Sequence, residues 1–447
     1  MEVKDTPPPP PDERPVFNID ASVYAPRRFK EADCKTYWDT EACHRRMFQF
    51  DWTLICDRGR FRKFCVVQVK GADKNVNIGE TEFKQLKELI RVRYHDIISM
   101  HSYYSTQGTG RGFRMTQNAW EKFCDDTALI TDRFNARDAI EQFIIATIVD
   151  GDTKLKEMGG NLQRAGSMGR REFIECLIRS AVWLFGHDKN PSIAEADERA
   201  NSPEGALQML FEKHIDPNMN PMVGYIRTRN DFRTERLYNL EMEIMWRSNC
   251  ATMDRGDGKL VAIRKGLCLE LPKHLYSELG VRRTKHGKEI RMPQKETFLE
   301  LLVQTLEICT TQMGFSLVEA FLCYKASQMD VVDDVAHQAR SESLNWVDFL
   351  EAIGRVADAL SLPPAENLVD AGFYIGTWPD LNPGWTEIRE SADMLLPKTR
   401  PLVEKVTALL TLIFWRKSDD YDESLNYRVK TWKARGEASN WRQLPGM

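Results

Sequence analysis

The chain is 447 residues long, 42% hydrophobic and 29% charged, with a formal net charge of −4. That length suits two to four domains, and the balance excludes both a globally basic nucleic-acid binder and a chain too polar to bury a core. None of its ten cysteines forms a Cys-x-x-Cys pair, which points to reduced thiols in a cytosolic protein rather than to a disulfide framework or a zinc site.

Residues 1–50 read as a proline-rich and aromatic extended arm. The first ten residues are charged and proline-rich, so no signal peptide is expected, and Pro7–Pro11 favours polyproline II. From 17 to 50, aromatic residues (Phe17, Tyr24, Tyr37, Trp38) alternate with basic ones (Arg27, Arg28, Arg45, Arg46). Such a stretch suits an arm that gains order on a partner.

Residues 51–190 read as a first helical module. Phe83, Leu86, Leu89, Ile90, Tyr94, Ile97 and Ile98 keep the spacing of an amphipathic helix from about Glu80 to Ser105. A second helix starts after Met115, and Asn135 is the expected N-cap of a third. The fourth follows a polar loop at 150–167. Residues 191–235 carry four prolines and read as a linker with a helix near Ala206–Lys213. Residues 236–362 read as a second module, with an expanded loop at 249–290 that holds a short helix near Lys273–Leu279, and helices from Met292 and Ser316. Residues 363–447 read as a C-terminal extended segment with one good helix, Arg400–Arg416. Its apolar run Leu402–Trp415 contains Glu404 and Lys405 and is too short to span a membrane.

One motif occurs twice. Met168-Gly-Arg-Arg-Glu172-Phe173-Ile-Glu175-Cys-Leu177-Ile-Arg179 and Leu344-Asn-Trp-Val-Asp348-Phe349-Leu-Glu351-Ala-Ile353-Gly-Arg355 place apolar, acidic, Phe, Glu and Arg residues identically. Two further matches are collinear, Met115 with Met292 and Ile140–Phe143 with Val318–Phe321. Together they indicate an internal duplication. The pattern fits the end of an EF-hand loop, with the apolar residue at position eight and the acid at position twelve. The fold class expected is mainly α, two EF-hand-like (calmodulin-like) four-helix modules in tandem with extended N- and C-terminal arms.

The loops lack calcium ligands. Calcium needs oxygens at positions one, three and five as well as twelve. Counting back from Glu172 gives Asn161, Gln163 and Ala165; counting back from Asp348 gives His337, Ala339 and Ser341. Gly108–Met115 has no carboxylate, and Arg282-Arg283-Thr-Lys285 repels a divalent cation. No metal or cofactor is therefore expected. The pairs Glu175/Arg179 and Glu351/Arg355, at i and i+4, read as solvated helix faces. No nucleophile elbow, Walker motif, His-Glu-x-x-His or kinase signature is present, so no enzyme is expected.

Met115-x4-Trp120-x2-Phe123-Cys-x-Asp126, Asp231-Phe-Arg-x-Glu-Arg-Leu-Tyr238 and Leu344–Asp358 resemble the divergent tandem EF-hand-like proteins of the eukaryotic ciliary or flagellar axoneme. The resemblance covers about residues 80–360. It implies a non-enzymatic, microtubule-associated protein of the cytoplasm and cytoskeleton, whose partners are tubulin in the doublet and other axonemal proteins, with neither nucleic acid nor membrane. Structural residues would be Met168, Glu172, Phe173, Arg179, Leu344, Asp348, Phe349 and Arg355. Tubulin is acidic, so Arg58, Arg60, Arg62, Lys63, Arg282, Arg283 and Lys285 become candidate contacts, with Trp378 and Trp385 on an arm. The alternative is a cytosolic calcium-responsive adaptor that binds partner helices.

Overall fold

The computed structural model describes residues 17–28, 33–67, 78–107, 114–148, 166–186, 199–247, 270–285, 288–306, 308–309, 313–334, 336–360, 362–365 and 393–417. It is mainly α-helical with a few short strands. Among the described residues, no helix is long and apolar enough to cross a membrane.

The centre is α3 (Ile78–Gln107), 30 residues long and so roughly 45 Å from end to end. Its buried row of Leu86, Ile90, Tyr94, Ile97 and Ile98 follows the helical period. Around it stand α1 (Glu41–Cys56) and α2 (Gly59–Val67) from one side. The antiparallel bridge of β1 (Met115–Thr116) and β2 (Ser167–Met168) pairs Met115 with Met168. Each strand leads into a helix: α4 (Gln117–Asp126) after β1, and α6 (Arg170–Phe185) after β2. Between them lies α5 (Ala136–Thr147), opened by Asn135 in a capping box with Asp138, as the sequence predicts.

The chain repeats this plan. It continues through α7 (Pro203–Leu210), α8 (Met222–Arg227) and α9 (Leu240–Arg247), then α10 (Glu270–Leu279) and the strands β3 (Gly280–Lys285) and β4 (Lys288–Pro293). After them come α11 (Lys295–Glu300), α12 (Leu317–Ser327), α13 (Gln338–Glu342), α14 (Trp346–Ala359) and α15 (Leu402–Lys417). Gln294 bridges Ser343 antiparallel, as Thr116 pairs with Ser167. Thr116 and Gln294 are both N-cap residues, so Pro293, not Met292, takes the place of Met115. The leading match therefore shifts by one residue from the sequence alignment.

Three stretches depart from the sequence reading. Residues 249–290 do not stay a loop throughout: β3 and β4 form a hairpin, with Arg282 opposite Arg291 and Lys285 opposite Lys288. Within 191–235, α7 falls where a helix is expected, and α7 and α8 bury Leu207, Leu210, Val223 and Ile226 in the common core, so this stretch packs as helices instead of running as a linker. Ser202 caps α7 through the amide of Gly205, and Pro203 opens it. Finally, part of the N-terminal arm is inside the molecule. Tyr24, Arg27 and Tyr37 are buried, Tyr24 accepts a hydrogen bond from Trp246 Nε1 at 2.9 Å, and Thr40 caps α1 through Cys43 N. Near the other end, α15 buries Val406, Leu409, Leu410 and Ile413 and packs on α14.

Candidate functional site

Both copies of the repeated motif lie in the core. Met168, Phe173, Leu344 and Phe349 are fully buried. Phe173 meets Trp120 and Phe123 edge-on, with ring centroids 6.2 and 5.5 Å away. Phe349 meets Phe298 at 6.3 Å and Tyr276 at 5.5 Å. The N-cap equivalence puts Phe298 where Trp120 stands, so the duplicated ring has a duplicated partner.

The charged residues of the motif are also buried, against the sequence reading of Glu175/Arg179 and Glu351/Arg355 as solvated pairs. Arg179 Nε donates to Glu175 Oε1 at 2.8 Å, and Arg355 Nε to Glu351 Oε1 at 2.8 Å. Each i+4 pair forms locally. What draws it inward is a further arginine from a distant part of the chain. Arg58 Nη1 reaches Glu175 Oε2 at 2.5 Å and the carbonyl of Ala146 at 2.8 Å. Arg233 Nε reaches Glu351 at 3.0 Å, and its Nη2 reaches the Gln328 carbonyl at 3.0 Å. In each unit one guanidinium thus holds the central Glu and closes the C-terminal end of the preceding helix, where a cation suits the helix dipole. Each i+4 arginine also stacks on a ring, Arg179 over Phe64 at 4.5 Å and Arg355 over Phe232 at 4.4 Å. We call each arrangement an arginine clamp.

The second clamp is larger. Arg27, from the N-terminal segment, donates to Glu351 Oε2 at 2.5 Å and Asp348 Oδ1 at 3.1 Å. Asp39 accepts from Arg229 Nε at 2.9 Å and Arg233 Nη1 at 2.8 Å, and Arg229 also pairs with Asp330. Arg233 sits in a π turn, Phe232–Leu237, and such turns re-aim side chains out of the regular helical period. Burial works against the charge on Glu351, but the guanidiniums of Arg233, Arg27 and Arg355 outweigh it and bring its pKa down to about 2. For Asp348 burial wins: with Arg27 opposing and Glu351 repelling, its pKa rises to about 6.

Hydrogen-bond donors of the protein occupy the loop oxygens that precede each acid. Ser167 and Ser343 stand five residues before Glu172 and Asp348. Arg114 Nη2 donates to the Ser167 carbonyl, and its Nε to Ser167 Oγ at 2.8 Å. In the second unit Gln328 Nε2 donates to the carbonyls of Ser341 at 2.9 Å and Ser343 at 3.3 Å. Glu172 closes the N-terminus of α6 through the Gly169 amide at 2.8 Å and takes Arg171 Nε at 2.7 Å. Burial pushes against its ionisation, yet Arg171 and Arg114 hold it well below the usual carboxylate range. Gly166 has φ +99°, the left-handed turn that the loop needs before β2. Among the described residues, no three His, Cys, Asp or Glu side chains come together to hold a metal ion.

The candidate partner contacts divide. Arg58 is buried in the first clamp and is not a surface contact: its guanidinium is drawn in by Glu175 and the end of α5. Arg60 and Lys63 are exposed on α2. Of Arg62, Arg282, Arg283 and Lys285 only the backbone is described, in α2 and β3, and Trp378 and Trp385 lie outside the described residues. Sequence reasoning missed Arg27, Arg114, Arg233 and Gln328. Their partners are far away in sequence, and nothing local marks them: in Phe232-Arg233-Thr-Glu-Arg-Leu237, Arg233 stands among polar neighbours. Comparison with known proteins finds no match, either to a protein-family profile or to a curated protein or solved structure.

Proposed function

We propose that this chain is a non-enzymatic structural component of the ciliary or flagellar axoneme, a cytoskeletal protein of the cytoplasm. Its two units are EF-hand-like modules that have lost calcium. They act as rigid blocks that sit against microtubule doublets or neighbouring axonemal proteins. One observation carries the reading: protein donors engage loop oxygens that an EF-hand would turn to calcium. Arg114 and Gln328 bind the loop carbonyls at position seven, and Arg27 binds the acid at position twelve in the second unit. A loop closed in this way keeps one shape whether or not calcium is present, which suits a scaffold better than a sensor. The paired β-bridges, Thr116 with Ser167 and Gln294 with Ser343, support the duplication read from the repeated motif.

The test is fractionation. Tagged chain expressed in ciliated cells is expected to stay with the axoneme after detergent extraction and to leave it only at high salt. Its appearance in the low-salt soluble fraction overturns the reading. A co-sedimentation assay with purified microtubules then separates direct lattice contact from attachment through another axonemal protein.

A further inference from the structure

Among the described residues, the second unit carries a strand pair that the first does not. It stands between α10, which ends at Leu279, and α11, which begins at Lys295: the hairpin of β3 and β4, six residues in each strand. The hairpin is a sheet of its own with only two strands. β4 packs against α10 and ends where its Pro293 carbonyl accepts from the Leu344 amide at 2.9 Å, whereas among the described residues the outer edge of β3 carries no ladder partner. A lone two-stranded ribbon is marginal in water, and an open edge is a template for another strand.

Its composition adds to that instability. Gly280–Pro293 holds five basic residues and one acid, in a chain whose net charge is −4. The register sets Arg282 opposite Arg291 and Lys285 opposite Lys288, and like charges directly opposite destabilise a strand pair. The one acid, Glu289, stands opposite Thr284 and not opposite a base. Nearby on α10, Glu278 pairs with His274 at 3.7 Å. A ribbon built this way gains stability when anions line its edge.

We infer that the β3–β4 hairpin is a docking ribbon for an extended acidic segment of a partner polypeptide, added along the outer edge of β3. Backbone hydrogen bonds would fix the added strand, and it would run beside the strand whose sequence carries Arg282, Arg283 and Lys285. A strand of six residues is roughly 20 Å long, which a short acidic peptide covers without touching the rest of a net-negative surface. A long phosphate backbone would have to run past that surface, so a polypeptide is favoured over nucleic acid. The inference deepens the scaffold reading by giving the partner's chemistry, and it rests on that reading for treating the hairpin as a contact surface.

The test is fluorescence anisotropy of a labelled oligoglutamate of about ten residues titrated with the full chain. Saturable binding is expected. It should weaken about tenfold or more between ~50 and ~300 mM salt, and to a similar extent in the double variant Arg282→Ser/Arg291→Ser, which removes a repulsive pair and keeps the circular-dichroism spectrum. No saturable binding, unchanged affinity in the double variant, or equal affinity for a single-stranded oligonucleotide of the same charge each overturns the inference. If the wild-type chain stays with axonemes but ignores the peptide, the docking ribbon falls while the scaffold reading stands.

Discussion

Arg27 Nη1 stands 2.5 Å from Glu351 Oε2, and the two residues are 324 positions apart in the chain. Both side chains are wholly buried. Removing one partner of a buried pair strands the other charge in a low-dielectric interior, at a cost of ~3–5 kcal/mol. Arg27→Ala should therefore lower the unfolding free energy by about that amount in chemical denaturation. A loss comparable with that of an exposed pair, such as Arg91 with Glu88, would show that the N-terminal segment does not sit in the core.

Phe173→Ala and Phe349→Ala each empty a fully buried ring site. Each should cost ~3–5 kcal/mol, and both should do so because the two rings have matching partners. A large loss from one and a negligible loss from the other would break the equivalence of the units.

Calcium should leave the protein unmoved. Titration calorimetry is expected to give no binding heat up to about millimolar calcium, and the melting temperature should not shift. The reason is specific: Arg114 and Gln328 donate to loop carbonyls, and Arg27 neutralises Asp348. Saturable binding in the micromolar range would revive the sensor alternative.

His101 gives a pH-dependent readout. Its Nε2 lies 3.2 Å from the Met168 carbonyl, and burial brings its pKa down to about 4, with Arg170 and Lys325 adding repulsion and Asp334 opposing it. An unfolded histidine titrates near ~6.5. Between those values the unfolded state binds the proton more tightly, so the folded state loses stability as pH falls. In His101→Gln that loss disappears. Relative to the variant, the wild-type protein should lose on the order of 2–3 kcal/mol from neutral pH to about pH 4. Asp51 and Asp348, whose pKa values burial raises to about 6, act in the opposite direction in both proteins and cancel in the difference. Parallel stability curves would show that His101 is not buried in its neutral form.

Helix positions and caps were legible because they are local. Asn135 and the spacing along α3 carry their signal within a few residues. The twofold motif was legible for the same reason. Its environment was not. Glu175 and Glu351 look like half of an exposed i, i+4 pair until Arg58, Arg233 and Arg27 arrive from other segments, and no periodicity encodes that arrival. The hairpin escaped because charged residues fill its alternating positions, where a half-buried strand would carry apolar ones. The one-residue slip between Met292 and Pro293 arose because sequence matching favours identical residues, whereas backbone pairing follows the N-cap.

The second clamp also dictates an order of events in the cell. Glu351 leaves the ribosome 324 residues after Arg27. At typical synthesis rates that gap lasts roughly 15–65 s. Throughout it, a stretch bearing Tyr24, Arg27 and Tyr37 has no α14 to close upon. The second unit can complete its interior only once α14 has been made, whereas Arg58 waits for Glu175 across just 117 residues. The nascent chain thus matures its first unit early, and its leading segment is among the last pieces to find its place.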